Sequence, residues 1–190
     1  MTDPLAILVR DGKKVDALTD GALKRAEKIL GYSLTIVQGS YNPGKVRASG
    51  GTHDKGGTVD LMPWDRENKV RALRAVGFAA WFRPAIPGLW SAHIHAVLIG
   101  HPDLAPTAAA QTTAYLNHRD GLKGNGPDLD PGWVGNVRYT VQALRNDQHR
   151  AALEARIAAQ RADLERARAE ARSIRGRLKK LRDKLKGLSQ

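Results

Sequence analysis

His53-Asp-Lys-Gly-Gly-Thr-Val-Asp60 is followed further along the chain by His93-Ile-His95. The two segments offer three imidazoles and a carboxylate, the ligand set of a zinc site with one coordination position left open. Open zinc sites support catalysis, whereas structural zinc sites are usually closed by four protein ligands, often thiolates. The chain has no cysteine, which excludes a thiolate-bound site.

Both segments fall on predicted strands. Residues 58–62 are predicted as a short strand, and the glycine pair between His53 and Asp60 permits a sharp turn before it. His93 and His95 are two residues apart, so both side chains face the same side of a strand. If that side faces the first segment, a metal lies between two adjacent strands.

Each of these residues also has a simpler interpretation. A single histidine is more often an exposed or hydrogen-bonded residue than a metal ligand. A carboxylate between Val59 and Leu61 is harder to explain without a metal, because burying an unpaired charge on a strand costs several kcal/mol. Neutral imidazole and carboxylate suit Zn²⁺, so we expect Zn²⁺ as the cofactor.

The rest of the first 120 residues mixes strands with helices and does not alternate them as βαβ units. Strands are predicted at residues 33–38, 58–62, 79–82 and 93–99, helices at residues 20–30, 67–76 and 105–117, and a strand and turn within residues 1–18. This order predicts an α+β fold with a small, mainly antiparallel sheet and flanking helices.

The C-terminal part has a different pattern. From Leu153 to Leu188 the apolar residues recur at alternating spacings of three and four, which predicts a long helix that pairs as a coiled coil. We therefore divide the chain into a folded domain at residues 1–120, a Gly/Pro/Asp-rich linker with the helix start at 121–147, and a basic coiled-coil helix at 148–190.

The positive charge is concentrated in that helix. The chain has a net charge of +12, and residues 150–190 contribute +8 of it, with 13 Lys or Arg and five Asp or Glu. Such a segment favours anionic partners: nucleic acid, anionic lipid or an anionic cell wall. We do not expect nucleic-acid binding, because the segment has no aromatic residues to stack on bases. An alternative to pairing is that the basic amphipathic helix lies on an anionic membrane surface.

The N-terminus does not resemble a secretory signal. Residues 1–10 lack a basic start and hold only a short apolar run. No apolar run approaches the ~18 residues needed to span a bilayer. We therefore expect synthesis in the cytoplasm without a signal peptide.

The stretch that begins before His53 resembles the zinc peptidase superfamily of D-Ala-D-Ala carboxypeptidases, lysostaphin-type endopeptidases and the hedgehog fold. The carboxypeptidase branch carries Ser-x-His-x-x-Gly-x-Ala-x-Asp, and His53, Gly56 and Asp60 stand in register with it. Gly51 stands at the family's Ser and Thr58 at its Ala. The chain is also similar to phage and actinobacterial peptidoglycan peptidases that carry Gly-Thr-His-Asp and His-Ile-His segments.

The second segment departs from the carboxypeptidase branch. That branch continues with Glu-x-Trp-His, in which Glu is the catalytic base and His the third ligand. With His95 at the ligand position, Ala92 stands where the branch has Glu, and Ile94 where it has Trp. The usual base is therefore missing.

Lysostaphin-like members end instead in His-x-His, where the second histidine binds zinc and the first assists catalysis. The resemblance, which covers roughly residues 15–120, therefore implies that His53, Asp60 and His95 bind zinc. It implies that His93 is the base or the stabiliser of the transition state. An unperturbed imidazole has a pKa near ~6.5, which suits it to that proton transfer.

A hydrogen-bond donor should also face the developing oxyanion. Gln38, at the end of a predicted strand, is the first candidate, because a polar or arginine residue follows that strand in relatives. A polar residue that caps the end of the strand explains the presence of Gln38 equally well. Tyr41 is a second candidate with less support.

Five further residues attract attention by type alone. His101, His118 and His149 have no motif context, so we expect them at the surface. Trp81 and Trp90 flank the His-x-His segment, and core packing is a better interpretation for them than lining a cleft.

The resemblance implies a phage-encoded zinc metallopeptidase that hydrolyses peptide bonds of bacterial peptidoglycan. The heptad pattern predicts that it self-associates through its coiled coil. It would reach the cell wall by holin-type release or as a virion component. The alternative, suggested by the missing glutamate, is a catalytically impaired structural or wall-binding virion component assembled through the same helix.

Overall fold

The structure is a computed structural model that describes residues 3–44 and 46–188. Residues 1–2 and 189–190, at the ends of the predicted N-terminal and C-terminal segments, and Lys45 lie outside the described residues. The described chain divides into two compact units, one ending at Arg145 and the other beginning at Asn146.

The first unit opens with a hairpin and a helix. β1 (Ile7–Arg10) and β2 (Lys13–Asp16) pair antiparallel around Asp11-Gly12, where a turn was predicted within residues 1–18. α1 (Ala17–Leu30) follows at once, because the Asp16 side chain caps it by accepting a hydrogen bond from the Thr19 amide at 2.7 Å. α1 ends at Gly31, whose φ of 77° is the left-handed conformation common after helices.

Four further strands form the central sheet. β3 (Ile36–Gln38), β4 (Thr58–Leu61), β5 (Phe78–Arg83) and β6 (His93–Leu98) lie in the order β3-β4-β6-β5, and every pairing is antiparallel. A short 3-10 helix (Arg47–Ser49) lies between β3 and β4, and α2 (Arg66–Ala75) connects β4 to β5. α3 (Pro106–Leu116) follows β6. The α+β class, the antiparallel sheet and the predicted elements are confirmed.

The two faces of the sheet are covered differently. On one face, alternate residues of β5 and β6, including Phe78, Ile94 and Leu98, join the main core with α1 and α2. On the other face, Trp81 packs on Tyr115 of α3. Because strand side chains alternate, the residues between the core positions point towards α3. The predicted site residues lie on that second face.

The segment predicted as a linker after residue 120 packs closely on this unit. Asp128 accepts hydrogen bonds from the Arg74 guanidinium at 2.7 and 3.0 Å, and Asp130 accepts one from the Phe82 amide. Tyr139 is buried in the main core. Residues 121–140 therefore belong to the packed structure of the first unit.

The second unit is the greater part of α4 (Val141–Gly187), a continuous helix of 47 residues. The long C-terminal helix is thus confirmed. From Leu153 onwards the large apolar residues of α4 are exposed, from 41% at Leu153 to 67% at Leu185. Among the described residues, no helix combines the length and apolarity that crossing a bilayer demands.

Candidate metal centre

One residue from each strand of the sheet lies in a single row. Gln38 of β3 pairs with Asp60 of β4. Asp60 also pairs with His95 of β6, which pairs on its other side with Trp81 of β5. Directly opposed residues on neighbouring strands stand about 5 Å apart and share a face. The antiparallel register therefore brings together side chains from distant parts of the sequence.

A β-bulge places Gln38 in this row. Ile36 and Gln38 are two residues apart, so a regular strand would put both side chains on the core face. The register shifts between them: Ile36 pairs with Leu61 in the core, and Gln38 pairs with Asp60. Bulges commonly re-aim a side chain near a functional site.

His53 reaches the row from the loop before β4. Its backbone carbonyl accepts a hydrogen bond from the Asn42 amide at 2.8 Å, and its ring Nδ1 lies 3.0 Å from the Gly39 carbonyl. Gly57 has a φ of 79°, and a Cβ there would lie 2.8 Å from the His101 ring. Glycine is therefore required where the loop turns into β4.

The three predicted ligands form a compact buried group. His95 Nδ1 lies 2.7 Å and His53 Nε2 lies 3.3 Å from Asp60 Oδ1. One nitrogen or oxygen atom from each residue lies within 4.8 Å of those of the other two. These residues could hold a metal ion.

Gln111 of α3 determines the tautomer of His95. Its Nε2 donates to the Gly121 carbonyl at 3.2 Å, so its Oε1 is the atom that faces His95 Nε2 at 2.8 Å. An amide oxygen only accepts, so His95 Nε2 carries the hydrogen. His95 Nδ1 is then left with a lone pair directed at Asp60. Hydrogen bonding of the distal ring nitrogen is the usual arrangement of a metal-binding histidine.

The same argument assigns the tautomer of His53, in which the hydrogen lies on the other ring nitrogen. Its Nδ1 faces the Gly39 carbonyl, which only accepts, so Nδ1 carries the hydrogen and Nε2 has the lone pair. Two imidazole lone pairs and a carboxylate oxygen therefore converge. Three acceptors at such distances repel one another unless a cation or a proton lies among them. The donor set fits a divalent cation of the zinc class.

Two pKa shifts agree with ligand states that bind metal. When protons rather than a metal ion lie among the three groups, burial raises the pKa of Asp60, but hydrogen bonds and charge from His53 and His95 outweigh burial and hold it well below its usual value. Burial lowers the pKa of His95, against the opposing effect of Asp60. A carboxylate and a neutral imidazole are the forms that coordinate metals.

His93 stands beside this group without joining it. Its Nε2 is 3.9 Å from Asp60 Oδ1, and its Nδ1 is 2.7 Å from the Ser91 carbonyl. The carbonyl fixes the hydrogen on Nδ1, which leaves Nε2 able to accept a proton. The side chain is 14% exposed, so this nitrogen remains accessible from the pocket.

One pocket brings together all five residues singled out as ligands or catalytic groups: Gln38, His53, Asp60, His93 and His95. Its volume of about 70 Å³ leaves room for a small chemical group at the metal-binding atoms. Gln38 donates from Nε2 to Ser49 Oγ at 2.9 Å, and its amide retains a second N–H. Tyr41 lies in a neighbouring groove with its hydroxyl 3.4 Å from Asp16 Oδ2, so it does not supply the oxyanion donor.

Gln111 and Arg83 line the pocket and were missed by sequence reasoning. Gln111 comes from α3, where nothing in the sequence distinguishes it from a surface glutamine. Arg83 is paired with His93 across β5 and β6, lines the pocket and is 5% exposed. Its position at the end of an apolar strand could have identified Arg83 as a candidate site residue, because a buried arginine needs a partner.

The prediction that His101 lies at the surface is wrong. His101 is 5% exposed, and its Nε2 lies 3.1 Å from Asp16 Oδ1. Gly56 and Gly57 leave the space for its ring, since a Cβ at either would approach it within 2.8 Å. His118 and His149 are exposed, as expected.

Trp81 is buried, as expected for core packing, and its ring stacks on His95 at 6.3 Å. Trp90 instead lines the pocket, with its ring edge-on to His93 at 6.2 Å. Core packing is therefore the wrong interpretation for Trp90, which is only partly buried and lines the pocket.

Three convergent metal-binding atoms, the Nε2 of His93 and the amide of Gln38 lie around one cavity. Comparison of the chain with family models, curated proteins and solved structures found no match. The interpretation of the site therefore depends on its chemistry.

Proposed function

We propose that this chain is a zinc-dependent peptidase that hydrolyses peptide bonds of bacterial peptidoglycan. The observation that supports it most directly is the convergence of His53 Nε2, Asp60 Oδ1 and His95 Nδ1, with both ring tautomers fixed by acceptors behind them. Three protein ligands leave a coordination position open, which is the arrangement of catalytic zinc.

His53, Asp60 and His95 would hold the zinc, which would supply a nucleophilic water near neutral pH and polarise the scissile carbonyl. The residues of the chain supply the rest. His93 Nε2 accepts a proton from the attacking water and returns it to the leaving amine, because its Nδ1 hydrogen is held by the Ser91 carbonyl. The remaining N–H of Gln38 stabilises the oxyanion from the opposite strand.

His93 takes the place of the glutamate that the resembling carboxypeptidases have at the Ala92 position. Ala92 carries only a methyl group, which cannot transfer a proton. The imidazole Nε2 of His93 can, and it lies 3.9 Å from Asp60 Oδ1 of the metal-binding group. General-base catalysis requires reach first and a suitable pKa second.

The choice of peptidoglycan is supported by the basic α4 and by the resemblance of the two histidine segments. The wall of many bacteria is polyanionic, and a segment of net charge +8 is attracted to it. In this proposal the protein reaches the wall by holin-type release or as part of a virion.

The test is release of soluble muropeptides from purified peptidoglycan by the full chain. We expect release that stops when a chelator removes the metal and returns when zinc is added. Release that continues in excess chelator would contradict a zinc peptidase. No release from any wall preparation by zinc-loaded protein would contradict the activity.

A structural or wall-binding role is the second candidate. It is favoured by the alanine at position 92 and by the exposed apolar residues along α4, which is typical of a helix that self-associates. Peptidoglycan pull-down by zinc-loaded protein that releases no muropeptide would favour this role over the peptidase.

A further inference from the structure

Among the described residues that line the pocket, Arg83 is the one ionisable side chain that neither metal binding nor proton transfer uses. It is 5% exposed and lies on β5 directly opposite His93. The central carbon of its guanidinium lies 5.0 Å from the centre of the Trp81 ring, so the indole packs against the flat face of the guanidinium. A permanently charged group is therefore held beside the candidate metal centre.

The guanidinium is poorly satisfied by the protein. Among the described residues its one hydrogen bond runs from Nη2 to the Asp120 carbonyl, at 2.6 Å. An arginine has five N–H donors in a planar fork. A nearly buried arginine without a carboxylate partner is costly unless a ligand completes its hydrogen bonding.

The acidic groups nearest to Arg83 are engaged elsewhere. Asp128 pairs with Arg74 at 2.7 Å, and Asp130 accepts from the Phe82 amide. The Asp120 side chain accepts from the Leu122 amide at 2.9 Å. Asp60, which also lines the pocket, faces the histidines. None of these four forms an ion pair with Arg83.

We infer that Arg83 binds a carboxylate of the peptide substrate while the scissile bond lies at the metal centre. This inference rests on the proposed peptidase function and specifies its substrate class. A carboxylate accepts two parallel hydrogen bonds from the planar N–H groups of a guanidinium. Two sources of it exist in a peptide, the C-terminus and an acidic side chain.

The experiment measures binding of small peptides to the full chain by NMR titration, before any turnover is considered. The probes are N-acetyl-alanyl-alanine as free acid, the same dipeptide as C-terminal amide, and N-acetyl-alanyl-glutamate amide, each as L,L and D,D isomers. We expect one carboxylate probe to bind about tenfold or more tightly than the neutral amide. The tighter probe identifies the source.

The preference should disappear in Arg83→Met and be reduced in Arg83→Lys, which keeps the charge but loses the fork. Arg71→Met is the matched control, because Arg71 is exposed on α2. Retention of the preference in Arg83→Met, or equal or absent binding of all probes to the wild type, would overturn the inference.

Two further measurements make the test decisive. If Arg83→Met does not fold, the ¹⁵Nε signal of Arg83 in the wild type should shift with the carboxylate probe and not with the amide. An unchanged signal would then overturn the inference. All titrations are repeated on chelator-treated protein, where the preference should persist, so that failure to bind zinc is distinguishable from failure of the arginine to bind carboxylate.

Discussion

Asp60 and His95 stand directly opposite each other on β4 and β6, with 2.7 Å between Oδ1 and Nδ1. Gln111 holds the hydrogen of His95 on the other ring nitrogen, so a lone pair faces a carboxylate oxygen. Such a pair is stable when a cation or a proton lies between the two atoms. This relationship is the structural basis for the proposed metal.

Gln111 should control metal affinity without being a ligand. Gln111→Leu removes the acceptor for His95 Nε2 and frees the ring to change tautomer. We expect zinc affinity to fall about 10- to 100-fold. Competition with a chromophoric chelator measures it, and Gln160→Leu, on α4, is the matched control. Unchanged affinity in Gln111→Leu would show that the ring is fixed by other contacts.

His93 should affect turnover and leave zinc content unchanged. His93→Ala removes the proton acceptor at 3.9 Å from Asp60 but none of the three converging donors. We expect muropeptide release to fall about 10²- to 10⁴-fold with zinc stoichiometry unchanged. Zinc loss in His93→Ala would assign His93 to the ligand set, and full activity would remove it from the mechanism.

The buried pair of Asp16 and His101 should make stability depend on pH. Burial raises the pKa of Asp16, but the His101 ring, whose Nε2 lies 3.1 Å from Asp16 Oδ1, together with hydrogen bonds from Thr19, outweighs burial and holds the pKa below its usual value. A depressed pKa means that ionised Asp16 stabilises the fold above its unfolded pKa, about 3.9, and that this contribution is lost as pH falls further.

Asp16→Asn should therefore lower the free energy of unfolding by about 3 kcal/mol at neutral pH. The difference from the wild type should narrow below about pH 4. Denaturant unfolding across this range measures both quantities, with Asp183→Asn on the exposed α4 as control. A difference that stays constant down to low pH would contradict the assigned charge state.

The apolar residues of α4 should drive self-association of the full chain. Leu178 and Leu181 are 59% and 64% exposed, which is unfavourable for an isolated helix. Leu178→Lys with Leu181→Lys should sediment as a smaller species than the wild type. Ala162→Lys with Ala169→Lys adds the same charge off the heptad positions and should leave the oligomer intact. A wild type that sediments as a monomer would contradict the coiled coil.

The elements of the fold followed from local patterns. The Asp11-Gly12 turn, the amphipathic α1 and the His-x-His strand each depend on neighbours in sequence, and the structure has all three. The site residues were also predictable as types, because imidazoles at strand spacing share a face. Their convergence depended on register, which the sequence does not encode locally.

The remaining features are long-range. Gln111 and Arg83 contact the site only because α3 and β5 pack beside β6, and neither belongs to a motif. The bulge that turns Gln38 towards Asp60 is a property of the pairing of two strands. His101 was predicted at the surface because it has no motif context, and its partner Asp16 lies 85 residues away in the sequence.

Zinc content of the purified full chain tests the central claim most directly. The account predicts about one zinc per chain, strongly reduced in His95→Ala and retained in His149→Ala, which changes an exposed histidine. Mass spectrometry under native conditions or elemental analysis measures the ratio. A wild-type chain that binds no zinc when supplied with it, or a His95→Ala chain that retains it fully, would contradict the account.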